Sequence, residues 1–129
     1  MSETLLECCV GSPLSAINAE LGGAARVELC SALELGGLTP SHGSIKLARE
    51  KTGIPLSVLI RPHGGGFHYN PIELDIMKND IATARELGAD GIVLGALRED
   101  GSIDSEASAG LIEAAAGASI TFHRAFDST

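Results

Sequence analysis

The chain has 129 residues, 44% of them hydrophobic, which is enough for one domain around one core. Its 17 acidic and 9 basic residues leave a formal net charge of -8, which repels phosphate backbones, and no basic stripe offsets it. Nucleic acid is therefore not an expected partner. Trp is absent and aromatics make up only 3%, so the core must be aliphatic, which favours helices packed on a sheet over an aromatic-centred sandwich.

The start, MSETLLECCV, has no basic leader and only a short apolar run. Neither a signal peptide nor a membrane-spanning helix is expected, and the protein reads as cytoplasmic. Residues 4–10 form the first expected strand. Ser12-Pro13 then opens a helix, because Ser caps well and Pro suits the first turn, and Gly22-Gly23 ends it. Residues 25–31 are the second strand. The loop 34–41 leads to a helix that runs through Lys51 and stops at Gly53. Residues 54–62, IPLSVLIRP, are the clearest strand.

The loop HGGGFHYN follows, and Asn70-Pro71 starts the longest helix. Leu74, Ile76, Met77, Ile81, Ala84 and Leu87 form its apolar stripe. Residues 91–97 are the fourth strand, SEASAGLIEAAAG the fourth helix, and residues 119–126 the fifth strand. ELGGAARVELC and ELGADGIVLGA repeat a helix end, a Gly-Ala turn and an apolar strand. Strand and helix alternate without a linker, so residues 1–129 read as one domain with parallel strands.

Strand parity separates an open doubly wound sheet from a barrel. Glu7 and Cys9, Glu28 and Cys30, Ser57 and Arg61, and Thr121 and His123 fall in pairs on one face of their strands. Leu6, Val10, Val27, Leu29, Val58, Ile60, Ile120 and Phe122 fall on the other. A sheet covered by helices on both sides needs two apolar faces. One apolar and one polar face suit a (β/α)8 TIM barrel, with four βα units and a fifth strand making about the first half. Strands one and five are then open edges, and association into a homo-oligomer is expected.

Glu7, Glu28, Arg61 and His123 lie on the expected inner face, toward strand ends where barrels place their chemistry. They suit acid–base work on a small polar metabolite, with Glu7 or Glu28 as base, His123 as acid or base and Arg61 as anion holder. Equally, they suit an ionic network that fills a barrel mouth. Cys9 and Cys30 share that face on adjacent strands, so two thiolates would meet there and suit a soft ion such as Cu(I). Buried cysteines that only pack fit the same pattern. Cys8 points the other way, toward the helices. The HGGG run at 63–66 lacks a P-loop tail and reads as a plain loop, with His63 and His68 solvated. Ser12, Ser41 and Ser102 read as cap or turn residues, because no G-x-S-x-G elbow is present.

RVELCSALELGGLTPS, IPLSVLIRPHGGGFHY, ELGADGIVLGAL and ITFHRAFD together resemble the CutC family of copper-homeostasis proteins, over essentially the whole chain. The resemblance implies a TIM barrel, a cytoplasmic location and Cu(I) binding through cysteines that fall on Cys9 and Cys30. Some positions depart from the family pattern. RPHGGGF stands where the family usually reads RPRGGDF, so His63 and Gly66 replace a basic and an acidic residue, and Cys8 stands where Val is common. Family members also continue well past HRAFD. Three functions remain open from the sequence: a copper-handling protein, a barrel enzyme using Glu7, Glu28, Arg61 and His123, or a non-catalytic binder of a small polar ligand or assembly subunit in which the charged rim is structural.

Overall fold

A computed structural model describes residues 6–64, 69–94, 105–115 and 119–122. Five short strands, β1 (Glu7–Val10), β2 (Arg26–Leu29), β3 (Leu56–Leu59), β4 (Gly91–Leu94) and β5 (Ser119–Phe122), alternate with four helices. These are α1 (Pro13–Leu21), α2 (His42–Lys51), α3 (Pro71–Glu86) and α4 (Ser105–Ala115). β1, β2 and β3 are shorter than the apolar runs that announce them, although Cys30 N–H to Val10 (2.9 Å) and Ile60 N–H to Val93 (2.8 Å) carry the bonding one residue past β2 and β3.

The helix starts follow from their side chains. The Ser12 hydroxyl accepts the Ser15 N–H at 3.1 Å and the Ser41 hydroxyl accepts the Ser44 N–H at 3.1 Å. Asn70 and Glu73 form a reciprocal capping box ahead of α3, with Pro71 in its first turn. Two helix ends are built alike. Gly23 (φ 97°) and Gly88 (φ 100°) each turn the chain in the left-handed region, and the next N–H reaches back to the last turn, Ala24 to Ala19 and Ala89 to Ala84. The repeat seen in sequence is therefore a repeated helix terminus, offset by one residue: Gly23, not Gly22, matches Gly88.

All five strands are parallel and lie in the order β1-β2-β3-β4-β5. A doubly wound sheet reverses its strand order part-way. This sheet does not, and its helices gather on one face. Ala16 of α1, Ile45 and Ala48 of α2, Met77, Ile81 and Ala84 of α3, and Leu111 and Ala115 of α4 share one core with Val10, Val27, Leu29, Leu56, Val58, Ile60, Ile92 and Leu94. This is the (β/α)8 TIM-barrel arrangement, represented by four βα units and a fifth strand. Ile76 departs from the expected stripe: it is 44% exposed, one position round from the buried Met77. None of the described helices is long and apolar enough to cross a membrane.

The opposite face is layered. Glu7 and Arg26 are register partners nearest the N-terminal ends of the strands. Cys9, Glu28, Ser57 and Gly91 align across β1 to β4 in the next row. Cys30, Leu59 and Val93 form a small apolar cluster above it. Arg49 ties the bottom together. Its guanidinium donates to Asp90 Oδ2 (2.7 Å) and to the carbonyls of Thr52 (3.1 Å) and Ile54 (2.8 Å), and the same Asp90 oxygen accepts the Leu56 N–H.

A Cβ at Gly88 would stand 3.0 Å from the Arg49 side chain, on a backbone that L-residues rarely adopt. Gly88→Ala is expected to destabilise the fold by about 1–2 kcal/mol in chemical denaturation. Gly43→Ala, where an added Cβ meets nothing within 4 Å, should be neutral or stabilising by about 0.5 kcal/mol.

Candidate functional site

The parallel register of β1 and β2 brings two thiols and a carboxyl together. Cys9 and Glu28 are direct partners, and Cys30 follows one layer toward the C-terminal ends of the strands. Cys9 Sγ donates to Glu28 Oε2 at 3.5 Å and lies 3.9 Å from Cys30 Sγ. Cys30 Sγ also approaches the Val10 carbonyl at 3.5 Å. The two thiols differ in access: Cys9 is exposed, whereas Cys30 is only 1% exposed.

Each group of the trio is held toward its protonated form. The Cys9 thiol is pushed up to about 12, first by loss of water and then by the neighbouring Cys30 and Glu28. Burial also raises Cys30, which the hydrogen bond from Cys9 partly offsets, and Glu28 adds to the rise. Glu28 is raised by burial, with a smaller push from Glu7 that the Cys9 hydrogen bond opposes. The pair is therefore a protonated dithiol near neutral pH rather than an activated nucleophile.

The other residues singled out from the sequence are spread more widely. Glu7 sits at the N-terminal end of β1, away from the C-terminal rim where it was expected, and Arg26 Nε pairs with it at 2.9 Å. Arg61, just past β3, is 5% exposed and faces the loop between β2 and α2: its Nη1 donates to the carbonyls of Leu35 (2.9 Å) and Gly37 (3.1 Å). It also stands near the buried Tyr69 hydroxyl, which burial pushes up to about 12 against the lowering effect of the guanidinium. His123 lies outside the described residues, as do His68 and Ser102. Cys8 packs against the helix-side core, as parity requires.

Two features escaped sequence reasoning. His63 is not simply solvated: its Nε2 lies 2.8 Å from Glu73 Oε2 and its ring meets Tyr69 edge-on at 5.3 Å. The loop 31–39 crosses above the Cys30 thiol, and only its Gly36-Gly37 step, both at positive φ, hinted at a tight fold. Among the described residues, no group of three or more His, Cys, Asp or Glu side chains is arranged to hold a metal ion.

Known proteins agree with this architecture. The CutC family model matches residues 4–129. A human protein named copper homeostasis protein cutC homolog is 51% identical over 123 residues, which cover 95% of this chain and 45% of that protein. A CutC family protein of Bacteroides fragilis is 52% identical over 128 residues, 98% of this chain and 51% of its own length. The crystal structure of a CutC protein from Streptococcus agalactiae superposes with a TM-score of 0.88 at 43% identity, covering 97% of this chain and 61% of that one. The chain thus spans about half the length of the curated relatives it matches. It belongs to the CutC family.

Proposed function

We propose that this protein acts in copper homeostasis in the cytoplasm by binding Cu(I) between Cys9 and Cys30, holding the ion as cargo without turning over a substrate. The observation that carries this reading is the 3.9 Å separation of the two sulfurs on a polar sheet face. Thiolates are the donors that a soft monovalent copper ion prefers. A metal–thiolate bond is about 2.3 Å long, so two sulfurs on one ion stand at most about 4.6 Å apart, and the observed separation lies within that reach. The names of the relatives point the same way.

A second reading rests on Glu28, a carboxyl raised by burial on the inner face of a barrel-type sheet. Such a group suits an acid or base acting on a small polar metabolite, with Arg61, Glu7 and His123 as the further candidates. We also read residues 1–129 as one partial-barrel domain. β1 and β5 end the sheet order, each with an unpaired edge among the described residues, which favours association with a second copy.

An anaerobic Cu(I) competition titration of the reduced protein tests the first reading. One tight equivalent is expected. It should be lost in Cys9→Ala and in Cys30→Ala and retained in Cys8→Ala, with folding checked by circular dichroism. Unchanged binding in the first two variants would overturn the copper site. Because both thiols are held protonated, the ion must displace their protons. Apparent affinity should therefore rise with pH between about 6 and 8, approaching a hundredfold per unit if both leave. For the second reading, a metabolite screen by thermal shift should give a ligand whose binding disappears in Glu28→Gln while Cu(I) affinity persists; binding that ignores Glu28→Gln counts against it. Sedimentation velocity should show a concentration-dependent species larger than the 13.2 kDa chain, and a monodisperse monomer would rule out association.

A further inference from the structure

The loop between β2 and α2 is built as a roof over one of the two thiols. Its base is closed by an antiparallel bridge, with Ser31 N–H donating to Leu38 at 2.9 Å and Leu38 N–H to Ser31 at 2.7 Å. The Ser31 hydroxyl adds a bond to the Thr39 carbonyl at 3.1 Å. Between these ends the chain makes a 3-10 turn, Leu33–Leu35, and spreads across three strand ends. Leu33 covers Gly11 beyond β1, where an added Cβ would sit 3.1 Å from it. Leu35 covers Gly64 beyond β3, at 3.5 Å. At Gly37 a Cβ would stand 3.5 Å from Cys30 Sγ and 2.8 Å from Leu59, so the backbone there lies directly on the buried thiol.

This loop does not hold its own shape cheaply. Ala32 takes a left-handed conformation (φ 48°) ahead of Gly36 and Gly37, which do the same, and such a non-glycine residue persists only where its surroundings impose it. The outside anchor is Arg61. Its Nη1 grips the carbonyls on both sides of Gly36, while its backbone N–H donates to the Thr39 hydroxyl at 2.7 Å and its carbonyl accepts the Thr39 N–H at 3.0 Å.

We infer that Arg61 is a positioning residue for the thiol pair: it locks the 31–39 loop over Cys30 and leaves Cys9 as the thiol through which copper enters and leaves. The entry step rests on the copper reading above; the roof does not. A soft ion arriving at this face would meet the exposed Cys9 before the buried Cys30 beneath the loop.

The test is metal-free and uses the reduced chain with Cys8→Ala. Alkylation by N-ethylmaleimide is followed site by site by mass spectrometry. Cys9 is expected to react at least about tenfold faster than Cys30. Arg61→Met, which keeps an unbranched apolar stem and removes the guanidinium donors, should accelerate Cys30 by about tenfold or more and leave Cys9 unchanged, because hydrogen bonds from a charged group no longer oppose local opening. An unchanged Cys30 rate in folded Arg61→Met protein overturns the inference. If that variant does not fold, Thr39→Val, which removes the hydroxyl that accepts the Arg61 N–H, decides in the same way. Transfer of Cu(I) from loaded protein to a chelator should likewise be faster in Arg61→Met. A wild-type chain that takes up no Cu(I) while Cys30 still shows Arg61-dependent protection defeats the copper reading and leaves the roof standing.

Discussion

Everything on the polar side of this sheet depends on the helices packing on the other side only. A sequential run of parallel strands returns each helix to the same face, where Val, Leu and Ile from the strands meet small and aliphatic residues from α1 to α4. One face then provides the hydrophobic stabilisation and the other is released from it. That release is why Cys9 and Glu28 can occupy strand positions, and Cys30 the position just past β2, without breaking the core. In a sheet covered on both sides, Glu28 would have to be paired or neutralised beneath a helix.

The polar face is graded along the strands. An exposed ion pair, Glu7 with Arg26, sits at the N-terminal end, the thiol–carboxyl trio comes next, and the apolar patch of Cys30, Leu59 and Val93 lies toward the rim. The thiol pair therefore straddles a boundary: Cys9 shares its row with Glu28, and Cys30 shares its row with hydrophobic side chains. The same boundary makes the two sulfurs unequal in access although they lie within contact of each other. A soft ion suits this setting better than a hard one, because among the described residues the two sulfurs have one carboxyl beside them, Glu28, and burial raises it toward its protonated form.

Much of this was legible before any coordinates. Ser12, Ser41 and Asn70 announce three helix starts, because a side-chain acceptor placed before an apolar stripe has few other uses. Period-two alternation in residues 7–10 and 26–30 placed Cys9, Glu28 and Cys30 on one face, since successive side chains in a strand point to opposite sides. Parity could not say at which end of its strand Glu7 would lie, because alternation carries no information on height along the strand relative to a neighbour. Nor could it find the use made of Arg61, whose partners are backbone carbonyls more than twenty residues away and leave no trace in side-chain pattern. His63 was misread for a similar reason: Glu73 comes within reach only because the capping box fixes the first turn of α3 beside the end of β3.

The amino-acid order by itself determined the elements, their alternation and the split between an apolar and a polar strand face, because these depend on local propensity and on periodicities of 2 and 3.6 residues. Tertiary structure alone decided the register that sets Cys9 beside Glu28, the 3.9 Å approach of the two thiols, and the roof that Arg61 holds over one of them. Those are relations between segments distant in sequence, set by ladder hydrogen bonds and loop anchoring, and no local pattern encodes a distance between two strands.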